Sequence, residues 1–354
     1  MKAALTRAEG FAQSYGLRVP ILMAPMAGAC PVSLAAAVAD AGGMGACGAL
    51  LMDAGGIADW SQQMRRSSNG AFMLNTWIPD PDPVRDDAHE ARLRDWLETW
   101  GPDVPPVDLG GPQFADQCAA MIAAGPTVMS SIMGLYPPDV VTEMKARGIR
   151  WFATVTTVSE ARAAVEAGAD VLIAQGAEAG GHRGAFEAKD ALAKSVGLFS
   201  LLPAVVDAVD IPVVAAGGVA DGRGLAAALV LGASAVVVGT ALLRSPEAGV
   251  APAWADAIGA AAPEDTLPTR AFSGRLGRAI ANSYVTAAAQ PDAPDPAPYP
   301  VQRALTAPMR GAATKADSID TMQAWAGQSA GLAKAHPATQ IVTEMWEDAR
   351  ALLA

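Results

Sequence analysis

The chain has 354 residues with 25 Lys and Arg against 36 Asp and Glu, and its formal net charge of −11 excludes a nucleic-acid binder held mainly by phosphate contacts. Hydrophobic residues at 51% and charged residues at 17% allow a large buried core and exclude a disordered chain. Three cysteines, Cys30, Cys47 and Cys118, make neither a CxxC pair nor an even set, so a disulfide framework or zinc knuckle is not indicated and a reducing cytoplasm fits.

Residues 1–10 carry Lys2, Arg7 and Glu9 and no apolar run, so export is not expected. Short apolar runs follow at 20–24, 44–47, 71–75, 128–131, 151–155, 171–175, 213–216 and 235–239, each bounded by turn residues. Between them, stretches with helical spacing at 33–41, 86–100, 138–147, 159–167, 198–208 and 224–231 are long enough to cross back over a sheet. This alternation predicts an α/β fold, a parallel (β/α)8 TIM barrel over residues 1–244. The segment 80–112, rich in Pro, Asp and Trp, reads as an excursion from the repeat.

The uncharged stretch 225–243 has the length of a membrane span. However, LAAALVLGA ends as a helix at Gly232 and SAVVVGT is a β-branched run, so helix, turn and buried strand are expected and no membrane partner. After Thr240 the alternation stops. Residues 251–262, 279–290 and 338–353 read as helices, and 291–300 is too rich in proline to be helix or strand. Residues 245–354 are therefore expected to form a smaller, mostly helical cap over the barrel mouth that packs back on the barrel.

In a parallel barrel the reactive groups stand at the C-terminal strand ends. After the seventh strand comes GGVADGRG and after the eighth GT. Glycines there let main-chain N–H groups approach an anion and Thr240 adds a hydroxyl, so Gly217, Gly218, Gly239 and Thr240 predict a phosphate site. For any one of these glycines a plain turn is the simpler reading, and Thr240 and Asp221 both fit helix caps. The cluster favours the phosphate.

The loop GAEAGGHRGAF, 176–186, is longer than a βα turn requires. His182 follows two glycines at a strand end, where an imidazole reaches a ligand and serves as a base near neutral pH. His89 and His336 sit in charged or polar surroundings and read as solvated. Arg183 fits either a loop anchor or an anion contact, and Glu178 either orients His182 or caps a turn. MAPMA at 23–27 and Asn75 are small and sparsely polar, which suits a flat ring lying against backbone, although Pro25 alone is also a turn signal.

PILMAPMAG (20–28), AQGAEAGGHRG (174–184), VVAAGGVADGRG (213–224) and GASAVVVGTALL (232–243) together resemble the nitronate monooxygenases, formerly called 2-nitropropane dioxygenases. RAFSGRLGRAIANSY (270–284) and WAGQSAG (325–331) resemble later segments of that family. The resemblance implies a non-covalent FMN with its phosphate on Gly180, Gly217, Gly218, Gly239 and Thr240, and with Gly181 beside it. It further implies Gln175 and Asn75 against the ribityl chain or ring, and Ala24, Pro25 and Met26 along the isoalloxazine edge. His182 would take a proton beside a nitro group or hold an ionised nitronate, and O2 would complete oxidation to a carbonyl compound and nitrite. No metal is implied, and a second copy of the chain is a candidate partner.

Two departures concern the substrate. Where bacterial members carry several Tyr and a Lys at the cap, YPVQRALTAPMR (299–310) offers Tyr299 with Arg303 nearby, and Tyr136 has no evident role. Two alternatives share the phosphate motifs: an NAD(P)H-dependent, flavin-containing enoyl-acyl-carrier-protein reductase, and a barrel that binds a phosphate ligand without turnover. The roughly 110 residues after Thr240 favour the monooxygenase over the usually shorter reductases.

Overall fold

In the computed structural model, which describes residues 1–107 and 109–354, all eight expected strands form one parallel sheet. They are β1 (Ile21–Met23), β2 (Gly45–Gly48), β3 (Phe72–Trp77), β4 (Val128–Ile132), β5 (Arg150–Val155), β6 (Val171–Gln175), β8 (Val213–Ala216) and β9 (Ala235–Val238), with β7 (Gly181–His182) lying outside the barrel. The order β1-β9-β8-β6-β5-β4-β3-β2 is that of a barrel, and a single bridge between Leu22 and Met44 closes the circle. Every residue of β1, β2, β6, β8 and β9 is buried, because helices cover the outside and side chains fill the inside, which is why these strands read as unbroken apolar runs.

The helices follow in chain order: α1 (Lys2–Ser14), α2 (Val32–Asp40), α3 (Ala54–Ser67), α4 (Asp87–Leu97), α5 (Phe114–Ala124), α6 (Pro138–Ala146), α7 (Val158–Glu166), α8 (Leu198–Val206) and α9 (Gly222–Val230). The Asp221 side chain accepts from the N–H groups of Arg223 and Gly224 and so caps α9, and Gly232, at φ +110°, turns the chain into β9. The uncharged stretch is thus helix, turn and strand. Among the described residues no helix is long and apolar enough to cross a membrane.

Past the barrel come α10 (Pro252–Ala260), α11 (Ser283–Ala288), α12 (Val301–Leu305), α13 (Ala307–Ala316) and α14 (Ala338–Leu353). The last of these takes the eighth helical place, packing against α9 and α2 and burying Ile341, Val342, Met345, Trp346 and Leu353. Residues 245–337 stand between β9 and its helix. They share a second core with the excursion, where Leu93 and Leu97 of α4 meet Phe272, Tyr284, Val301, Leu305 and Met309. Asp108, within the expected excursion, lies outside the described residues.

One expectation is corrected. The helix read over 279–290 begins as a strand, β11 (Gly277–Ile280), paired antiparallel with β10 (Thr266–Thr269) on one side and with β7 on the other. The helical period gives way because cross-strand pairing satisfies this backbone. Asn282 then accepts from the Val285 N–H and starts α11.

Candidate active site

A cavity of about 730 Å³ opens at the C-terminal strand ends beneath the mouth segment. Ala24, Pro25 and Met26 after β1, Asn75 on β3 and Gln175 on β6 border it. So do Gly180, Gly181 and His182 of the long loop, Gly217 and Gly218 after β8, and Gly239 and Thr240 after β9. Residues read separately from motifs spread over more than two hundred positions therefore face one space.

The corner made by Gly180, Gly217, Gly218, Gly239 and Thr240 is built from main chain. Gly217 has φ +101°, and a Cβ there would lie 2.9 Å from the Ala179 nitrogen; a Cβ on Gly180 would lie 2.5 Å from the Gly327 nitrogen. A side chain is excluded sterically at Gly180 and Gly217, and Gly218, at φ +72°, also favours glycine, so little but main chain and two hydroxyls lines this corner. Thr240 Oγ1 accepts from the Gly327 N–H at 3.0 Å, so its own proton remains available. Ser329 Oγ donates to Gly218 O at 2.7 Å. Gly327 and Ser329 belong to WAGQSAG, whose resemblance marks the segment but not its place at this corner.

His182 owes its position to pairing. It sits opposite Gly277 in the β7–β11 ladder, and Gln175 Nε2 donates to its carbonyl at 3.0 Å while Gln175 Oε1 accepts from the Gly184 N–H at 2.8 Å. Gln175 thus shapes the loop as well as bordering the cavity. Asn75 Nδ2 donates to the Ser130 carbonyl and hydroxyl, leaving its Oδ1 without a hydrogen bond among the described residues. The imidazole lies between Trp77 and Trp325, with ring centroids 4.6 and 4.8 Å away, and its Nε2 is 2.7 Å from Ser273 Oγ.

Burial and then the positive charges of Arg275, Arg303 and Arg310 push the His182 pKa down to about 3, so the ring is neutral across the physiological range. Arg275 is buried and paired with Asp80 of the excursion. Arg303 and Arg310 belong to α12 and α13 and border the cavity.

The two open assignments resolve as structural. Glu178 accepts from the Leu198 N–H at 2.9 Å, at the start of α8, and buried Arg183 donates to the carbonyls of Gln175 and Thr156. Tyr136 is buried, donates to Ser130 O at 2.9 Å and does not border the cavity. Sequence reasoning missed Trp77, Ser273, Trp325 and Arg310 as neighbours of His182. Ser273 and Trp325 lie in the segments 270–284 and 325–331 that the resemblance marks, but nothing local sets them beside His182, whereas Trp77 is within reach of a reading that carries the third strand two residues further.

The glycine corner fits a phosphate group, and Ala24, Pro25 and Met26 line the same cavity. A family model described as nitronate monooxygenase matches residues 13–348. A nitronate monooxygenase of Paraburkholderia phytofirmans is 37% identical over 338 residues, covering 93% of this chain and 92% of that protein. Among solved structures, nitroalkane oxidase from Streptomyces ansochromogenes superposes with a TM-score of 0.89 at 34% identity, over 97% of this chain and all of that one. FabK from Thermotoga maritima gives 0.75 at 28% identity, over 98% and 96% of the two chains.

Proposed function

The chain belongs to the nitronate monooxygenase family of flavin-dependent oxidoreductases, and from that premise we propose that it oxidises alkyl nitronates with O2 to carbonyl compounds and nitrite, using FMN. The observation that carries this reading is that a glycine-lined corner and a neutral, aromatic-flanked imidazole open on one cavity.

Gly180, Gly217, Gly218, Gly239 and Thr240 hold the FMN phosphate, with Gly181 beside them. Ala24, Pro25, Met26, Asn75 and Gln175 lie along the ring and ribityl chain. When bound, FMN supplies the electron-accepting capacity that the oxidation requires, and O2 takes up the remaining reducing equivalents. The chain's own share is positioning and electrostatics. Arginine charge attracts an anionic substrate, and Trp77 and Trp325 flank His182. A ring with so low a pKa accepts a hydrogen bond or a proton without first losing one, and its weak basicity favours a substrate that arrives ionised over a neutral nitroalkane. The thiols Cys30, Cys47 and Cys118 are free and buried, in keeping with action in a reducing cytoplasm.

The test is an absorbance spectrum of the purified protein after incubation with FMN, followed by nitrite release from ethyl nitronate in air. A flavin spectrum with stoichiometric FMN and nitrite formation supports the reading. A protein that stays colourless favours a barrel that binds a phosphate ligand without turnover, and rapid anaerobic bleaching by NADPH without nitrite formation favours the reductase.

A further inference from the structure

Cys30 and Cys47 take no part in the reaction proposed above, yet they are not isolated thiols. Cys30 lies in the segment that leads from β1 to α2, and Cys47 stands on β2, where alternation turns it away from the face that Gly48 presents. Both are buried, and the two thiols are hydrogen-bonded to each other. Cys30 Sγ also accepts from the Gly48 N–H at 3.2 Å and from the Met26 N–H. The single Cys47 thiol proton has a second acceptor in Met52 Sδ at 3.8 Å. A sulfur that accepts from two main-chain N–H groups and a neighbouring thiol is surrounded as a thiolate needs to be.

That arrangement sets the two groups apart. The hydrogen bond from Cys47 draws the Cys30 thiol below its ordinary range; burial opposes this, and the Gly48 and Met26 N–H groups add to it. Cys47 is pushed up by the same hydrogen bond and by burial. Cys118, pushed up to about 12 by burial and then by the Asp139 charge, is the inert thiol of the three. The pair also lies close to the cavity: Ala29, next to Cys30, and Gly48, next to Cys47, both border it.

We propose that Cys30 and Cys47 form a peroxide-responsive modification site, a dithiol that hydrogen peroxide converts reversibly to a disulfide and whose oxidation weakens cofactor binding. Cys30 is the attacking sulfur: its S–O bond forms as the peroxide O–O bond breaks, and the hydroxide released takes a proton to become water. Cys47 then attacks the Cys30 sulfenic sulfur, so that the S–S bond forms, the S–O bond breaks and the second hydroxide leaves with the Cys47 proton as water. Two thiols are oxidised, one peroxide is reduced and two waters leave. Joining the sulfurs draws Cys30 off the Gly48 N–H, in the segment that also carries Ala24, Pro25 and Met26 at the cavity.

The experiment adds hydrogen peroxide to the folded full-length protein, with and without FMN, and needs no nitronate turnover. Two of the three thiols should be lost when counted after denaturation, with two hydrogens missing from the tryptic fragment 19–65, which holds both cysteines. A dithiol reductant should restore them, and Cys118 should react at least about tenfold more slowly. In Cys47→Ala, Cys30 should stop at the sulfenic acid and be trapped by a 1,3-dione. FMN affinity, read by flavin fluorescence, should fall at least about threefold on oxidation and recover on reduction, the scale of one lost hydrogen bond. Three thiols persisting in the folded parent, Cys118 reacting as fast as the pair, or an FMN affinity indifferent to the disulfide each overturns the proposal. If the reduced parent binds no FMN, the cofactor assignment fails instead, and the dithiol stands or falls on the thiol count and the fragment mass.

Discussion

The barrel and the mouth segment contribute to the cavity in different chemical terms. The barrel offers mostly backbone: glycines after β8 and β9 and the Ala24–Met26 stretch, together with the Asn75 amide tied to β4 and the Gln175 amide tied to the His182 loop. The mouth segment offers side chains: Ser273 on the imidazole, Trp325 beside it, and the arginines around it. The contrast suggests a division of labour in which the barrel holds the cofactor and the mouth chooses and orients what reacts. Residues of the glycine corner should fail by losing FMN, and those around the imidazole, including His182 of the barrel's long loop, by losing rate or selectivity with FMN in place.

The harshest way to break that division is Gly217→Asp. The new side chain meets backbone at once, at a φ that favours glycine, and sets a carboxylate beside the phosphate position. FMN is expected to be absent after purification, read from the flavin absorbance per protein, with activity lost alongside it. Full occupancy would show that the phosphate lies elsewhere.

His182→Asn should act on rate alone. We expect FMN to be retained and turnover of neutral nitroalkanes to drop by at most roughly 10²-fold, the low end for a general base because so depressed a pKa makes the ring a weak one, with a smaller loss for preformed nitronates. Nitrite release from both substrate forms decides it, and equal activity of variant and parent on the neutral form removes His182 from that role.

Asp80→Asn tests the join between the excursion and the mouth. It leaves the buried Arg275 guanidinium without its charge partner, and because Asp80 is itself partly exposed a loss of about 2–3 kcal/mol is expected, somewhat below the range for fully buried pairs. Denaturant midpoints measure this, and an unchanged midpoint would mean that water already compensates the pair.

A further test uses pH. The His182 pKa is about 3 in the folded chain against an ordinary 6.5, so the unfolded chain takes up this proton first as pH falls. The stability linked to this group is present above pH 6.5 and is lost progressively between about 6.5 and 3, with a slope of at most about 1.4 kcal/mol per pH unit. Parent and His182→Asn should therefore diverge in denaturant midpoint over that window, the variant losing less. Parallel curves would mean that the ring is not shielded.

The barrel was legible because its signal is local. Runs such as Val171–Ala174 and Ala235–Val238 are apolar throughout and bounded by turn residues, and burial on both faces demands that pattern. The cofactor corner was legible for the same reason, since glycines at two adjacent strand ends can be read without knowing the rest of the molecule. The mouth was much less so. The two-residue strand bearing His182 exists only because Gly277 and Arg278 arrive from about a hundred residues away to pair with it. Ser273 carries no local mark, and the helical reading of 279–290 followed alanine content where cross-strand pairing decided the outcome. Arg303 was visible as a departure from the family pattern, but that it borders the cavity together with Arg310 is a fact about three-dimensional neighbours.

The place of α14 has a consequence for how the molecule comes into being. During synthesis the whole mouth segment leaves the ribosome before the helix that seals the wall between α9 and α2. Until that helix docks, the outer surfaces of α9 and α2 that it will cover stay open to solvent. Nascent chains halted anywhere in 245–337 should therefore be conspicuous to chaperones, however well formed their strands.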